Sequence, residues 1–492
     1  MKNIEHVKGG LLKGSYEWIL HHPNFLQLQN DSGKQLLWIK GDPGHGKTML
    51  LIGIIEELEH SAPEANLAYF FCQGTNAPMN TSKATLRGLI YRLIRKRPPL
   101  IAHVREIYDR HKSIFEDGSS FFALSEVAAR ILRDPNIGRA YIVIDALDEC
   151  ETNQDQLLSF IAQNVSASPS VKWIVSSRKV PTIVNKLGRA EPSKQLHLDL
   201  TDNQDDMASA VGYYIETKVA TLEALSDDEE KRDEVQNTMR EKAAHTFLWA
   251  ALVIQELEKA NEWDVLFVLN SLPFGLEGLY GKMISQINHL GWKNPEFCHR
   301  ILATATLAYR PLALGEISVL AGLPTEISSA SRNVKKLVTM CGSFFRVQDD
   351  LVEFIHQSAR DYLSSTAESA IFEASYATTH FDLFSRSIEA MSNQLSRDIY
   401  QLYCPGILIK EIKAPDPDPL RQIRYSCIYW ANHLCEAGKE CSEAEYALRD
   451  HGEVHQFFNK HLLHWIEALS LIGATGDGII AVIQLQNLMK VS

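Results

Sequence analysis

The feature that most constrains the fold of this 492-residue chain is a phosphate-loop pattern between a predicted strand and a predicted helix. The run 35–39 is short and apolar, as in a buried parallel strand, and 49–58 carries apolar residues at helical spacing. The pattern G-x-x-x-x-G-K-[ST] between them is complete, and it consists of Gly41, Asp42, Pro43, Gly44, His45, Gly46, Lys47 and Thr48. A strand, a glycine-rich loop and a helix in this order predict an α/β domain that binds a nucleotide.

Each residue type in this loop has a physical task. Glycines let backbone N–H groups approach phosphates without a Cβ in the way. Lys47 is expected to reach the β- and γ-phosphates, and Thr48 is expected to place its hydroxyl on Mg²⁺. The N-terminus of the following helix adds partial positive charge to the same site. The alternative, a glycine-rich turn without a ligand, does not account for the strand and helix on either side.

Acidic candidates follow the apolar run 141–144. Asp145 comes at the C-terminal end of this predicted strand, where a carboxylate is suited to hold Mg²⁺, usually through water. Asp148 and Glu149 follow, and either one is a candidate for orienting or deprotonating an attacking water. An acidic cap without a function is the alternative for an isolated strand, but the phosphate loop makes a magnesium site the better interpretation.

A third predicted strand, 171–176, leads to Arg178. An arginine at this position could contact the γ-phosphate of a nucleotide and report its presence. Strand ends also carry many solvated arginines, so the residues alone leave both roles open.

Composition narrows the class of protein. With 45% hydrophobic and 22% charged residues there is material for several cores, and the length predicts two to four domains. The longest apolar run, 247–254, is too short to cross a bilayer, and the N-terminus has no apolar region of a signal peptide. The eight cysteines form no C-x-x-C pair. We therefore expect a cytoplasmic protein without a membrane partner.

Beyond residue 200 the alternation of strands and helices gives way to helices. Within 296–365 three helices and a hairpin are predicted, with 311–314 opening the second helix, and this order is typical of a winged helix, which often binds DNA. The net charge of −12 and the lack of a basic stripe disfavour phosphate contacts, so no nucleic-acid partner is expected. The predicted domains are a helical lead-in at 1–34, a P-loop NTPase domain at 35–200, a helical domain at 201–293, a winged-helix domain at 294–366 and a C-terminal helical domain at 367–492.

Together these motifs resemble the NACHT branch of the STAND NTPases, the signal-transducing ATPases of the nucleotide-binding immune-receptor type. GDPGHGKT, IDALDE with the small Ala146, and SSRKVP carry the resemblance. Further phrases sharpen it to the fungal members, namely GGLLKGSYEWIL, YFFCQGT, LRGLIYRLI, HTFLWAALVIQEL, LPFGLEGLYGKMISQI and FIHQSARDYL. The resemblance covers nearly the whole chain and implies a five-stranded parallel sheet whose magnesium strand is the third in sequence.

The resemblance also implies a function. It is that of a conformational switch in fungal immunity or incompatibility-like signalling, closed with ADP, opened by exchange for ATP and reset by slow hydrolysis. A homo-oligomer in the ATP state and unidentified effector or sensor proteins are the implied partners. Relatives begin with an effector domain and end in a repeat sensor, and neither is predicted here, so the chain is either a minimal switch or part of a longer protein.

Two further positions bear on which nucleotide binds and how it is held. Many relatives carry a Gly-x-Pro element on the adenine, and the stretch 244–249 lacks that proline, so ATP is the family expectation and GTP is not excluded. The resemblance also implies that His356 touches the β-phosphate of ADP. From the residues alone, a partly buried histidine bonded to a neighbouring backbone group is the alternative.

Two other functions fit the same motifs. One is a constitutive nucleotide-binding scaffold without turnover, and the other is a winged-helix ATPase that binds DNA.

Overall fold

The computed structural model describes residues 10–75, 79–110, 120–189, 191–372, 374–403, 406–438 and 440–491. The chain divides into two compact units, Met1–Leu279 and Tyr280–Ser492. The division falls inside the helix Gly275–Asn288. The five domains expected from the sequence are a finer division, and their limits stay a prediction.

The first unit is built on a five-stranded parallel sheet in the order β2-β3-β4-β1-β5. Its strands are β1 Leu36–Lys40, β2 Asn66–Phe71, β3 Ala140–Asp145, β4 Val171–Ser177 and β5 Gln195–Asp199. The predicted α/β class, with a parallel sheet whose acidic strand is the third in sequence, is confirmed. Because β4 lies between β1 and β3, the loops that follow β1 and β3 flank the end of β4 at one edge of the sheet.

The strands in the middle of this sheet are buried on both faces, which explains why β1 and β3 are almost entirely apolar. Side chains alternate between the faces, so Trp38 and Ile142 belong to one core while Ile39 and Val143 belong to the other. The helices of this unit are Glu17–His21, Pro23–Asn30, Lys47–Ser61, Ser82–Lys96, Ile101–Arg110, Ser120–Arg133, Gln154–Asn164, Pro181–Leu187, Gln204–Val219, Glu229–Ala243, Phe247–Leu257 and Val265–Ser271.

The second unit is mostly helical, in line with the expected helical C-terminal region. Its helices are Asn294–Leu307, Leu314–Leu320, Thr325–Ser328, Ser331–Met340, Gln357–Ser365, Glu368–Ile371, Tyr376–Gln394, Arg424–Ala437, Ser442–Leu448, Glu453–Leu471 and Thr475–Val491. A small antiparallel sheet has the order β6-β8-β7, with β6 Leu312–Ala313, β7 Phe345–Gln348 and β8 Leu351–Phe354.

The hairpin of this small sheet turns at Asp349 and Asp350, whose φ angles of 49° and 65° are those of a tight two-residue turn. Strand β6 differs from the sequence expectation, in which 311–314 opens a helix. Leu312 instead pairs with Val352. The assignment of 294–366 as a winged helix stays a prediction.

Among the described helices, none combines the length and the hydropathy that crossing a bilayer requires.

Candidate nucleotide-binding site

The phosphate loop runs from the end of β1 to the helix Lys47–Ser61. Gly44 and Gly46 have φ angles of 81° and 79°, a left-handed conformation that favours glycine. Space demands glycine as well, since a Cβ on Gly44 would lie 2.8 Å from Thr246 Cγ2 and one on Gly46 would lie 2.8 Å from Phe247 Cδ2. The Leu248 N–H donates to the Gly44 carbonyl at 3.3 Å. The loop is therefore packed against the start of the helix Phe247–Leu257.

Lys47 lies in this loop with its ammonium group held by the loop itself. Its Nζ donates to the carbonyl oxygens of Gly41 at 2.7 Å and Asp42 at 3.0 Å. Burial lowers the pKa of Lys47, and the negative charges of Asp148 and Asp145 oppose that shift. Phosphate oxygens are acceptors that can take the place of these two carbonyl oxygens.

The other loop residues occupy the turn before Lys47. The His45 N–H donates to the Asp42 carbonyl at 3.4 Å, and Pro43 lies between these two residues. Burial lowers the pKa of His45, while Asp42 opposes the shift. His45 is consequently a neutral side chain beside the lysine at neutral pH. Thr48 is the second residue of the helix, next to Lys47.

Asp145 ends β3 and is 2% exposed. Its Oδ1 accepts a hydrogen bond from Ser176 Oγ at 2.5 Å. The same hydroxyl oxygen accepts the N–H of Ala146 at 2.8 Å. Ala146 has a φ of 53°, which is unfavourable for a residue with a Cβ. Ser176, which the sequence analysis did not single out, therefore joins the end of β4 to the carboxylate and the strained turn after β3.

Arg178 is not a solvated surface arginine. Its Nε donates to Asp148 Oδ2 at 2.6 Å and its backbone N–H donates to Asp148 Oδ1 at 2.9 Å. The Asp148 side chain is 5% exposed, so water and salt screen the attraction between Asp148 and Arg178 only weakly. Glu149 has a different partner, since its Oε2 accepts the N–H of Gly74 at 3.0 Å. The two acids proposed for water activation therefore differ in their contacts.

A chain of two hydrogen bonds ties β1 to the end of β4. Trp38 Nε1 donates to Ser177 Oγ at 2.9 Å, and that hydroxyl donates to the carbonyl oxygen of Arg178 at 2.9 Å. Ser177 is fully buried. These hydrogen bonds consequently connect the backbone of Arg178 to the buried core of the sheet.

Five charged side chains converge at this edge of the sheet, because Lys47 interacts electrostatically with Asp145, Asp148, Glu149 and Arg178. Three carboxylates against two cations leave an excess of negative charge, which disfavours a bare polyphosphate and favours one that carries a divalent cation. Carboxylate and hydroxyl oxygens are the ligands that Mg²⁺ takes in proteins. The residues present thus fit a magnesium nucleotide, with Asp145 and Thr48 as the groups that would hold the metal.

The segment that lacks the family's proline has an unusual backbone. Ala244 and His245 have φ angles of 46° and 63°, two consecutive left-handed residues that are not glycine. Such residues cost on the order of 1 kcal/mol each and are found where the surroundings hold them in place. Thr246 and Phe247, which follow, are the residues packed on the two loop glycines.

His356 lies in the second unit, at the N-cap of the helix Gln357–Ser365. Its Nδ1 accepts the N–H of Ser358 at 3.1 Å and is 2.8 Å from Ser358 Oγ. Since a backbone nitrogen is always a donor, Nδ1 is unprotonated and the neutral ring carries its proton on Nε2. His356 thus makes the hydrogen bond to a neighbouring backbone group that the alternative interpretation expects. Its contact with a phosphate stays a prediction.

Comparison with known proteins bears on the family. A family model described as Nephrocystin 3, N-terminal, matches residues 14–178. The chain is 40% identical over 505 residues to the vegetative incompatibility protein HET-E-1 of Podospora anserina, over 99% of this chain. These similarities support the assignment of the chain to the fungal NACHT-type STAND P-loop NTPases. This NACHT-type chain spans 37% of the length of HET-E-1.

Solved structures resemble it only distantly. A STAND protein with a tetratricopeptide repeat sensor from Pyrococcus horikoshii is 12% identical with a TM-score of 0.35, over 94% of this chain and 63% of that one. The Drosophila ORC bound to DNA is also 12% identical with a TM-score of 0.35, over 74% of this chain and 90% of that one. Scores this low carry no argument, so the NACHT-type fold rests on the strand order and the motifs.

Proposed function

We propose that this chain is a nucleotide-dependent switch that binds ATP and ADP and hydrolyses ATP slowly in signalling of the vegetative incompatibility type. The similar protein of P. anserina is named for that process. The observation that carries the proposal is the convergence on Lys47 of Asp145, Asp148, Glu149 and Arg178. A charged site of this kind at the carboxyl edge of a parallel sheet is suited to phosphoryl groups.

The resting contacts of the two cations support a switch over a passive site. Lys47 is held by loop carbonyls and Arg178 by Asp148. When a nucleotide binds, phosphate oxygens would replace these acceptors. Each cation would then exchange one hydrogen-bond partner for another. A γ-phosphate that draws Arg178 from Asp148 is a contact that a diphosphate does not offer. Only such a difference between ligands shifts an equilibrium between two conformations.

For hydrolysis we propose Glu149 as the residue that orients the attacking water. Both carboxylate oxygens of Asp148 are engaged by Arg178, which assigns Asp148 to holding the arginine and leaves Glu149 as the better base. Asp145 and Thr48 would hold the magnesium ion, which when bound neutralises charge on the phosphates. A turnover far below that of metabolic enzymes suits a switch, because the ATP state must persist long enough to signal.

We also propose that His356 contributes to the ADP state through its Nε2–H, as the family resemblance implies. The local contacts of its Nδ1 support this, because they keep the proton on the opposite nitrogen. A donor aimed at an oxyanion stabilises the state in which the two meet.

The deciding experiment identifies the nucleotide that co-purifies with the protein and then measures turnover of ATP and GTP with Mg²⁺, each with and without duplex DNA. A switch retains ADP and turns over slowly regardless of DNA. Bound nucleotide without turnover would identify a constitutive scaffold, and stimulation by DNA would identify a DNA-dependent ATPase. Absence of any nucleotide binding would overturn the assignment of the loop.

A further inference from the structure

The end of β4 contributes one hydroxyl to the acidic turn after β3. Ser176 Oγ lies 2.5 Å from Asp145 Oδ1 and 2.8 Å from the nitrogen of Ala146. A backbone N–H can only donate, so the hydroxyl accepts from Ala146 and uses its own proton for the carboxylate. The hydroxyl of Ser176, which is fully buried, therefore has a partner both as donor and as acceptor.

This arrangement restricts the carboxylate of Asp145. Its Oδ1 is occupied by the serine, and within the described residues Oδ2 makes no hydrogen bond. A carboxylate fixed through one oxygen presents the other in a defined direction, and loss of a group that orients a metal ligand costs about 10- to 100-fold in metal affinity.

We infer that Ser176 is a positioning residue for the magnesium site, acting by orienting the carboxylate of Asp145. The inference rests on the proposed function and deepens it. It assigns to the end of β4 a task separate from that of Arg178, two residues further on. Ser176 itself touches neither nucleotide nor metal in this proposal.

The chain offers a closely matched control in Ser177. It is the next residue, it is equally buried, and its hydroxyl also accepts one N–H and donates one hydrogen bond. Its partners are Trp38 and Arg178, and Asp145 is not among them. Ser176→Ala and Ser177→Ala therefore remove the same atom at the same depth, and only the first releases the carboxylate.

The test measures ADP binding by calorimetry in Mg²⁺ and in EDTA for the wild type and both variants. Ser176→Ala should weaken binding in Mg²⁺ by about 10- to 100-fold, the usual effect of removing a group that holds a metal ligand, and leave binding in EDTA unchanged. Ser177→Ala should leave the ratio of the two affinities as in the wild type. Equal loss in both conditions for Ser176→Ala, or the same ratio in both variants, would overturn the inference while leaving nucleotide binding established.

A second variant separates the carboxylate from the strained turn. Ala146→Gly relieves the left-handed backbone, so it should rescue Ser176→Ala if the serine merely braces that turn. We expect no rescue of the magnesium dependence, and rescue would contradict the positioning role. Hydrogen exchange of the Ala146 amide, followed without nucleotide, should accelerate in Ser176→Ala and not in Ser177→Ala. A wild-type protein that binds no ADP in either condition would overturn the proposed function and this inference together.

Discussion

At the scale of single residues, Lys47 is central to the site, since its buried ammonium group interacts electrostatically with three carboxylates. Lys47→Ala should abolish nucleotide binding because nothing then compensates the repulsion among phosphates and acids. Thermal unfolding with added ATP or ADP measures this, and the midpoint should no longer rise with ligand. Lys186→Ala, at a surface lysine 3.8 Å from Asp155, is the control. Retained ligand stabilisation in Lys47→Ala would contradict the loop assignment.

The two acids after Asp145 give a second prediction. Glu149→Gln should leave nucleotide binding intact and slow hydrolysis by about 100-fold or more, as loss of a general base does. Asp148→Asn should instead release Arg178 and alter the ratio of ATP to ADP affinity. Single-turnover hydrolysis and equilibrium binding distinguish the two effects. If Asp148→Asn abolishes turnover and Glu149→Gln does not, the roles of the two acids are reversed.

A third prediction concerns His356, whose side chain has a local task that must be kept apart from ligand binding. His356→Leu removes the helix cap as well as the Nε2 donor, whereas His356→Asn supplies a favourable cap without that donor. Both variants should lose ADP affinity by about 10- to 100-fold, the effect of one charge-assisted hydrogen bond, and lose little ATP affinity. Competition binding measures the two affinities. If the wild type and His356→Asn bind ADP with equal affinity, His356 serves only as the cap of its helix.

Sequence and structure agree on the position of the phosphate loop, between a strand and the helix Lys47–Ser61. The phosphate loop was predicted completely, since eight adjacent residues define it. Ser176 was not, because its partner Asp145 is 31 positions away and no local pattern links a serine at a strand end to that carboxylate. The arginine had two open roles for the same reason, and its pairing with Asp148 appears only when β3 and β4 lie side by side.

At the scale of elements, two helices of the second unit are joined by a contact between histidines, and we expect its stability to depend on pH. His433, on the helix Arg424–Ala437, is fully buried. Its Nε2 lies 2.8 Å from the hydroxyl of Tyr425, and its Nδ1 lies 2.8 Å from Nδ1 of His380 on the helix Tyr376–Gln394. Tyr425 accepts the N–H of Tyr309 at 3.2 Å, so its own proton goes to His433. In this tautomer, His433 donates from its Nδ1 to Nδ1 of His380.

Acid should therefore weaken this unit. Burial and His380 hold the pKa of His433 well below its ordinary value. The unfolded chain takes up a proton near pH 6.5 that the folded chain refuses, so stability is complete above that pH and falls by about 1.4 kcal/mol per unit below it. Urea unfolding at several pH values measures the slope. His433→Gln should flatten it and His289→Gln, at an exposed site, should not. An unchanged slope in His433→Gln would place the sensitivity elsewhere.

Strands and helices could be predicted where the hydrophobic period and the length of the segment were clear in the sequence. Strands β1, β3 and β4 were recognisable from the residues as short, mostly apolar runs, whereas the count of five strands came from the family resemblance. Strand β6 was missed, since two residues are too short for any period and the preceding Pro311 is equally compatible with a helix start. Its strand character comes from pairing with Val352, 40 residues away along the chain, which only the tertiary fold supplies.

At the scale of the whole molecule, the proposed switch has a measurable consequence. A slowly hydrolysed ATP analogue should favour self-association, as family resemblance implies, while ADP should favour the single chain. Light scattering on the same sample with each nucleotide gives the mass directly. Lys47→Ala should show one mass throughout, because it cannot distinguish the ligands. An identical mass for the wild type in both nucleotides would contradict a switch that works by assembly.

The hydrogen-bond chain from Trp38 through Ser177 to the Arg178 carbonyl gives this protein a natural optical reporter. Indole emission responds to the partner of its N–H, and this N–H is one hydroxyl removed from the backbone of the arginine proposed to sense the γ-phosphate. Any shift of that backbone should therefore change the hydrogen bond of the Trp38 indole. This indole is shielded from quenchers in the solvent, because Trp38 is 1% exposed. The difference between the spectra of the wild type and Trp38→Phe isolates this signal from the other tryptophans without an attached dye.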